Sequence, residues 1–193
     1  MADERHPRER MVYSAVQLVR ARGATGTGVR DVVEHAGAPR GSFQHYFPGG
    51  KDQLVGEAVR WAADYAARRV VAYRTTARHP TPAGLFTHMV KQWKQDFTTR
   101  GYERGCPLMA AAADLASGDS EVTGQLRIAI DSWEAAIATE LVAMGVPARR
   151  AKRLATLMLS TLEGAIMSAR LRRDLGPLTT VAAELAPLLD SAS

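Results

Sequence analysis

Residues that suit DNA recognition are concentrated in the segment GAPRGSFQHYF, residues 37–47. Arginine can donate two hydrogen bonds to guanine O6 and N7, and glutamine can make an equivalent pair with adenine. Glycine allows the backbone to approach closely, and hydroxyl groups and basic side chains bind backbone phosphates. The candidates are Arg40, Gly41, Ser42, Gln44, His45 and Tyr46. These residue types at this spacing indicate nucleic-acid binding.

A predicted helix-turn-helix positions this segment. Apolar residues at helical spacing define the buried face of a short first helix: Val29, Val32, Val33 and Ala36. Thr27 is predicted to cap that helix at its start, and Gly37 to follow its end. Pro39 favours an extended Ala38, which lets the second helix leave at a steep angle.

The second short helix is predicted over residues 40–46, and its apolar side holds it in place. Phe43 and Phe47 are one turn apart and can pack against the other helices. The polar side then faces outward, where a free helix N-terminus can bind a DNA phosphate. Lys51, at the start of the next helix, can reach another phosphate. For His45, helix packing, a phosphate contact and base reading all remain open.

The rest of the chain predicts an all-α fold. Helical periodicity covers most of its 193 residues, and no segment alternates like a strand. Glycine and proline breaks divide it into nine helices: one ending near 23, then 29–36, 40–46, 51–76, 83–99, 107–116, 121–144, 147–174 and 178–189. We expect residues 1–50 to form the helix-turn-helix domain and residues 51–193 a ligand-binding and dimerisation domain.

Composition narrows the class of protein. The formal net charge of +5 favours an anionic partner only weakly. The single cysteine, Cys106, precludes an intramolecular disulfide and fits a reducing compartment. The charged N-terminus does not resemble a secretory signal, and the apolar stretch 154–169 is too short to cross a bilayer. We expect a cytoplasmic protein with no membrane partner, no cofactor and no metal site.

The stretch TGVRDVVEHAGAPRGSFQHYFPGGKDQL, residues 27–54, closely resembles the TetR family of one-component repressors. Within that family, FPGGKDQL together with RGCPLMAAAADLA at 104–116 is similar to the LmrA/YxaF-type subgroup. The resemblance implies a homodimer, a DNA operator with two inverted half-sites, and a pocket for a small-molecule inducer.

The resemblance also implies roles for individual residues. Thr27 and Arg30 match positions where the family's second helix touches DNA backbone or base, and Arg40, Gly41 and Ser42 begin the recognition helix. Tyr46 and Lys51 match phosphate-contacting positions. Gln44 is a departure, because the family usually carries an aromatic residue there. This puts one backbone contact in doubt and suggests a base contact in its place.

Large apolar residues in the C-terminal part are either plain core or the wall of a ligand pocket. The stripe at helical spacing on one helix consists of Phe86, Met89, Trp93 and Phe97, and Met109 and Trp133 follow on later helices. Glu163 lies within an otherwise apolar helix. It can orient a ligand or be a satisfied carboxylate at an interface.

The helix at 149–174 is the candidate for dimerisation. Its apolar face comprises Leu154, Leu157, Met158, Thr161, Leu162, Ala165, Ile166 and Ala169. Together with the last helix, it could form a four-helix bundle with a second copy. Core packing within one chain is the alternative.

The function that these patterns favour is a ligand-responsive repressor, released from a palindromic operator by a small apolar or aromatic inducer. The alternative is a ligand-independent activator or architectural DNA binder of the same shape. An enzyme is not supported, because the sequence offers no paired carboxylates, no Ser-His-Asp order and no phosphate-binding loop.

Overall fold

The structure, a computed structural model, describes residues 6–115, 118 and 120–192. These residues form nine α-helices and no strand, which confirms the all-α prediction. The helices are α1 (Pro7–Arg22), α2 (Val29–His35), α3 (Phe43–Tyr46), α4 (Gly50–Thr76), α5 (Pro82–Arg100), α6 (Pro107–Leu115), α7 (Glu121–Ala143), α8 (Ala148–Arg172) and α9 (Gly176–Asp190). A 3₁₀ turn, Arg40–Ser42, leads into α3.

Helix ends coincide with the glycines and prolines of the sequence. The side chain of Thr81 caps α5 by accepting a hydrogen bond from the Gly84 N–H at 3.0 Å, and Pro82 fills the first helical position. Gly23 follows α1 with a positive φ of 77°. The predicted end of one helix at residue 116 lies outside the described residues.

The chain divides into two compact units, Met1–Asp64 with Cys106–Ile130, and Tyr65–Gly105 with Asp131–Ser193. The first unit contains an apolar core built by α1, α2, α3 and the start of α4. Its members are Met11, Val12, Ala15, Val16, Leu18, Val32, Val33, Ala36, Phe43, Phe47, Leu54, Ala58 and Ala62. In the same unit, α6 packs along α1.

Polar contacts fix α1 against its neighbours in the first unit. Arg8 forms an ion pair with Glu57 of α4 at 2.7 Å, and its guanidinium lies 5.3 Å from the centre of the Phe47 ring. Nδ1 of His35, on α2, lies 2.9 Å from the hydroxyl oxygen of Ser14 on α1. These contacts join α1 to α2, to α4 and to Phe47.

The second unit is a helical bundle in which α5 and α8 both pack against α9. Its buried apolar residues include Leu85, Phe86 and Phe97 of α5 and Leu178 of α9. The Glu140 side chain is almost fully buried. Arg74 donates a hydrogen bond to its carboxylate at 2.6 Å, and the positive charge of the guanidinium compensates the buried negative charge.

Helix α8 buries most of the face that the sequence suggested for dimerisation. Of those eight residues, the buried ones are Leu154, Met158, Leu162, Ala165, Ile166 and Ala169. Leu157, from the predicted face, is exposed, and Gly164, Met167 and Leu171 are exposed along the same side of the helix. The alternative of packing within one chain is therefore correct for most of the predicted face. No described helix is long and apolar enough to span a bilayer.

Candidate nucleic-acid interface

The turn between α2 and the recognition segment, residues 40–46, is built on Gly37. Its φ is +57°, a conformation that suits glycine, and its N–H donates to the Glu34 carbonyl at 3.0 Å. The Ala38 N–H donates to the Val33 carbonyl at 3.1 Å, which completes a Schellman motif. This confirms the predicted role of Gly37 at the end of α2.

The recognition segment begins as a 3₁₀ turn and continues as α3. Both the backbone N–H and the hydroxyl of Ser42 donate to the Pro39 carbonyl, at 3.0 and 2.7 Å. The rings of Phe43 and Phe47 stack with centroids 5.3 Å apart, and both side chains are buried. These two phenylalanines anchor the segment as the spacing predicted.

The polar residues of the segment lie on its outer side. Gly41, Gln44 and His45 are exposed, whereas Tyr46 is half-buried and packs edge-to-face on the His6 ring at 5.4 Å. The Gln44 amide donates to the Pro48 carbonyl at 3.3 Å, a long bond at the surface. The backbone of Arg40 opens the 3₁₀ turn, and its side chain lies outside the described part of the structure.

Lys51 lies on the first turn of α4, beside the loop that joins α1 to α2. Its Nζ donates to the Thr25 carbonyl oxygen at 3.0 Å, and the bond is at the surface. An ammonium group has three donors, so this bond leaves capacity for a phosphate oxygen.

The two candidates from α2 and its approach differ in placement. Arg30 is exposed on the first turn of α2. Thr27 is 2% exposed, and its hydroxyl donates to the Gly23 carbonyl at 2.7 Å. Gly28, not Thr27, occupies the N-cap position of α2, so the predicted cap is wrong. The Thr27 hydroxyl closes the preceding turn instead.

The apolar candidates for a ligand site divide between the two units. Phe86, Met89 and Phe97 are buried and Trp93 is half-buried, all on α5 of the second unit. Trp133 and Glu163 are buried in that unit as well. The remaining candidate, Met109, is half-buried on α6 in the first unit.

The indole N–H of Trp133 has no hydrogen-bond acceptor among the described residues, although the side chain is only 4% exposed. A buried donor left without an acceptor costs about 1–3 kcal/mol. An acceptor supplied from outside the chain would remove that cost.

Sequence reasoning missed three features around these elements. An open groove of ≈ 630 Å³ lies between α7 and α8, and its lining includes Asp131, Glu134 and Lys152. Arg10 and Asp114 contact the loops that flank α2. Nothing in the local sequence around either residue identifies its partner, because each contact joins distant parts of the chain.

Comparison with known proteins places this arrangement in a family. Residues 13–58 match the model described as bacterial regulatory proteins of the tetR family. Residues 82–184 match the model described as the C-terminal domain of LmrA/YxaF-like transcriptional regulators.

Relatives and solved structures agree with these matches. An uncharacterized HTH-type transcriptional regulator of Mycobacterium tuberculosis is 42% identical over 190 residues, covering 95% of this chain and 94% of that protein. The HTH-type regulator LmrA of Bacillus subtilis is 25% identical, with coverage of 94% and 96%. A TetR regulator from Legionella pneumophila superposes with a TM-score of 0.81 at 18% identity, over 97% of this chain and 99% of that one. The chain thus belongs to the TetR family of DNA-binding transcriptional regulators, and its C-terminal part is of the LmrA/YxaF type.

Proposed function

We propose that the protein is a ligand-responsive repressor, released from a palindromic operator by a small apolar or aromatic inducer. One observation carries the DNA-binding half of this proposal. The recognition segment is anchored by two buried phenylalanines and leaves Gly41, Gln44 and His45 exposed on its outer side. Such a segment can enter a major groove without unfolding its support.

In this proposal, residues 1–50 bind DNA and residues 51–193 provide ligand binding and dimerisation. The residues assigned to the groove or its edges are Arg30, Arg40, Gly41, Ser42, Gln44 and His45, with Gly41 contributing its backbone. Tyr46 and Lys51 bind backbone phosphates. The side chain of Thr27 is buried, so its proposed contribution is indirect: its hydroxyl closes the turn that precedes α2 and thereby holds the DNA-binding surface in shape.

Regulators of the TetR family act as dimers, and the exposed face of α8 supports the same assembly here. Leu157, Met167 and Leu171 are exposed along it, and the exposed Gly164 between them allows a partner helix to approach closely. A twofold dimer would place two recognition segments in successive major grooves, about 34 Å apart on the DNA.

The inducer is proposed to bind in the second unit, beside Trp133. Phe86, Met89, Trp93 and Phe97 are proposed as its apolar wall, and the Trp133 N–H is a buried donor that lacks an acceptor among the described residues. An aromatic inducer with a carbonyl or ether oxygen would satisfy both. Glu163 is a second polar candidate there.

The DNA-binding half is tested by fluorescence anisotropy with a duplex from the region upstream of the gene. Arg40→Ala should weaken binding by about 1–3 kcal/mol, or roughly 5- to 150-fold, if Arg40 reads a base. The control is Arg149→Ala, which removes an exposed arginine from α8. Equal affinity of the wild type and Arg40→Ala would contradict the assignment.

The ligand-responsive half is tested by adding a panel of small aromatic compounds to the preformed complex with DNA. A compound that releases DNA from the wild type should be much less effective on Trp133→Phe, which keeps an aromatic ring and removes the donor. If no compound releases the DNA and the protein raises transcription in a purified system, the ligand-independent activator is the better description.

A further inference from the structure

A carboxylate on α6 touches the loop that joins α1 to α2. Asp114 Oδ2 accepts a hydrogen bond from the backbone N–H of Thr25 at 2.9 Å. The same carboxylate lies so close to Gly23 that a Cβ at that position would collide with it. All three residues belong to the first compact unit, in which α6 packs along α1.

Thr25 also has a second partner. Its carbonyl oxygen accepts the hydrogen bond from Lys51 Nζ at 3.0 Å. One loop residue therefore links the carboxylate of α6 to the ammonium group at the start of α4. The position of the Thr25 carbonyl fixes one of the three N–H bonds of Lys51 and so directs the other two.

We propose that Asp114 is a positioning residue for DNA binding: it holds Thr25 in place, and Thr25 directs the Lys51 ammonium group toward a backbone phosphate. The inference rests on the proposed phosphate contact of Lys51. A lysine that is already oriented loses less side-chain freedom when it binds DNA, and this raises affinity. Asp114 lies within residues 82–184, the part that matches the LmrA/YxaF-like C-terminal domain. In this proposal, a residue of that domain therefore contributes to DNA affinity.

The direction in which DNA affinity changes when Asp114 is replaced distinguishes the positioning role from a purely electrostatic one. A carboxylate repels phosphates, so removal of its charge alone should strengthen DNA binding. Loss of the hydrogen bond to Thr25 should weaken it. Asp114→Asn removes the charge and keeps an oxygen that can accept from Thr25, whereas Asp114→Ala removes both.

The test uses the full chain and a labelled duplex from the upstream region, titrated over a series of salt concentrations. We expect Asp114→Ala to weaken binding about 3- to 10-fold, on the order of the cost of ordering one long side chain when the complex forms. The slope of log K against log salt should become shallower by at most about 0.9, the value for the complete loss of one phosphate contact. Asp114→Asn should bind at least as tightly as the wild type.

Two further variants isolate the route. Lys51→Ala should show the full decrease of about 0.9 in slope. The double variant Asp114→Ala/Lys51→Ala should bind no more weakly than Lys51→Ala alone. Glu121→Ala, which removes another exposed carboxylate of the same unit, should retain the wild-type slope. Asp114→Ser is a second truncation if the alanine variant unfolds, as judged by circular dichroism.

The outcomes separate this inference from the function on which it rests. If Lys51→Ala changes the slope but Asp114→Ala binds as tightly as the wild type or more tightly, the role of Asp114 is refuted and the phosphate contact stands. If Lys51→Ala changes neither the slope nor the affinity, the phosphate contact is refuted and the positioning role falls with it.

Discussion

Arg10, on α1, donates a hydrogen bond from Nε to the carbonyl oxygen of Ala36, the C-cap residue of α2, over 3.0 Å. A second bond from its guanidinium reaches the Gly37 carbonyl at 3.3 Å. The last carbonyls of a helix lack partners within it, and their negative partial charge attracts a cation. One arginine thus satisfies the end of α2 and holds the turn that leads to the recognition segment.

We expect Arg10→Ala to lower the free energy of unfolding by about 1–2 kcal/mol, because it removes two hydrogen bonds to the turn. Arg10→Lys should recover only part of this, since a lysine lacks the planar fork that reaches both carbonyls. Urea denaturation followed by circular dichroism measures the difference. Arg149→Ala is the control, and an Arg10→Ala midpoint equal to that of the control would contradict this role.

The helices could be predicted from the sequence because their breaks are local. The observed bounds of α4 to α9 lie within two residues of the predicted ones wherever the structure describes them. Glycine and proline at each break act through backbone geometry alone, so no tertiary information was needed. The anchoring of the recognition segment by Phe43 and Phe47 was equally local.

The contacts that support the candidate site could not be predicted in this way. Arg10 is 26 positions from Ala36, and Thr25 is 89 positions from Asp114. The prediction that the apolar face of α8 forms a dimer interface was wrong for most of its residues, and the reason is again that contacts between distant parts of the chain decide the outcome. Residues such as Met158 and Leu162 fit an interface and a core equally well by composition, and only the packing of the whole chain decides between them.

Two glycines of the site should respond differently to a methyl group. Gly37 has a φ of +57°, so Gly37→Ala forces an alanine into the left-handed region and should cost about 1 kcal/mol of stability. Gly41 is exposed, and a Cβ added there meets no atom within 4 Å. Gly41→Ala should therefore leave the unfolding midpoint unchanged or slightly raise it.

Gly41→Ala should affect DNA binding even though it does not destabilise the fold. If the backbone at Gly41 approaches the duplex closely, Gly41→Ala weakens operator binding although the fold is intact. Urea midpoints and anisotropy titrations of both variants give the comparison. A Gly41→Ala variant with wild-type affinity would place the duplex farther from this residue than we propose.

The exposed face of α8 should decide the assembly state. Met167 is 53% exposed and Leu171 is 84% exposed, which are large values for apolar side chains in the last two turns of a helix. The double variant Met167→Glu/Leu171→Glu places two carboxylates of each chain in the proposed interface. We expect it to be monomeric in light scattering after size-exclusion chromatography, where the wild type is dimeric.

The control for this experiment is Ile128→Glu. Ile128 is 66% exposed on α7, so the variant changes the charge of a comparable exposed apolar residue outside the proposed interface. It should remain dimeric. A dimeric double variant, or a monomeric Ile128→Glu, would show that another surface forms the dimer.

His88 should make the stability of the protein depend on pH. Burial lowers the pKa of its imidazole, and the positive charges of Arg69 and Lys91 lower it further. Its ring packs against Tyr73 with centroids 5.4 Å apart. The unfolded chain binds a proton at the ordinary pKa of about 6.5, before the folded chain does so. Acidification through this range therefore favours the unfolded state, and stability falls as the pH drops.

His88→Gln removes the titrating imidazole, and the stability of the variant should therefore depend less on pH. We expect the urea midpoint of the wild type to fall more than that of His88→Gln between about pH 8 and pH 5.5, a range that spans the ordinary histidine pKa. The comparison at the higher pH measures the loss of packing against Tyr73 alone, because the imidazole is neutral there in both states. Equal falls for the two proteins would mean that His88 is not held in its neutral form by the fold.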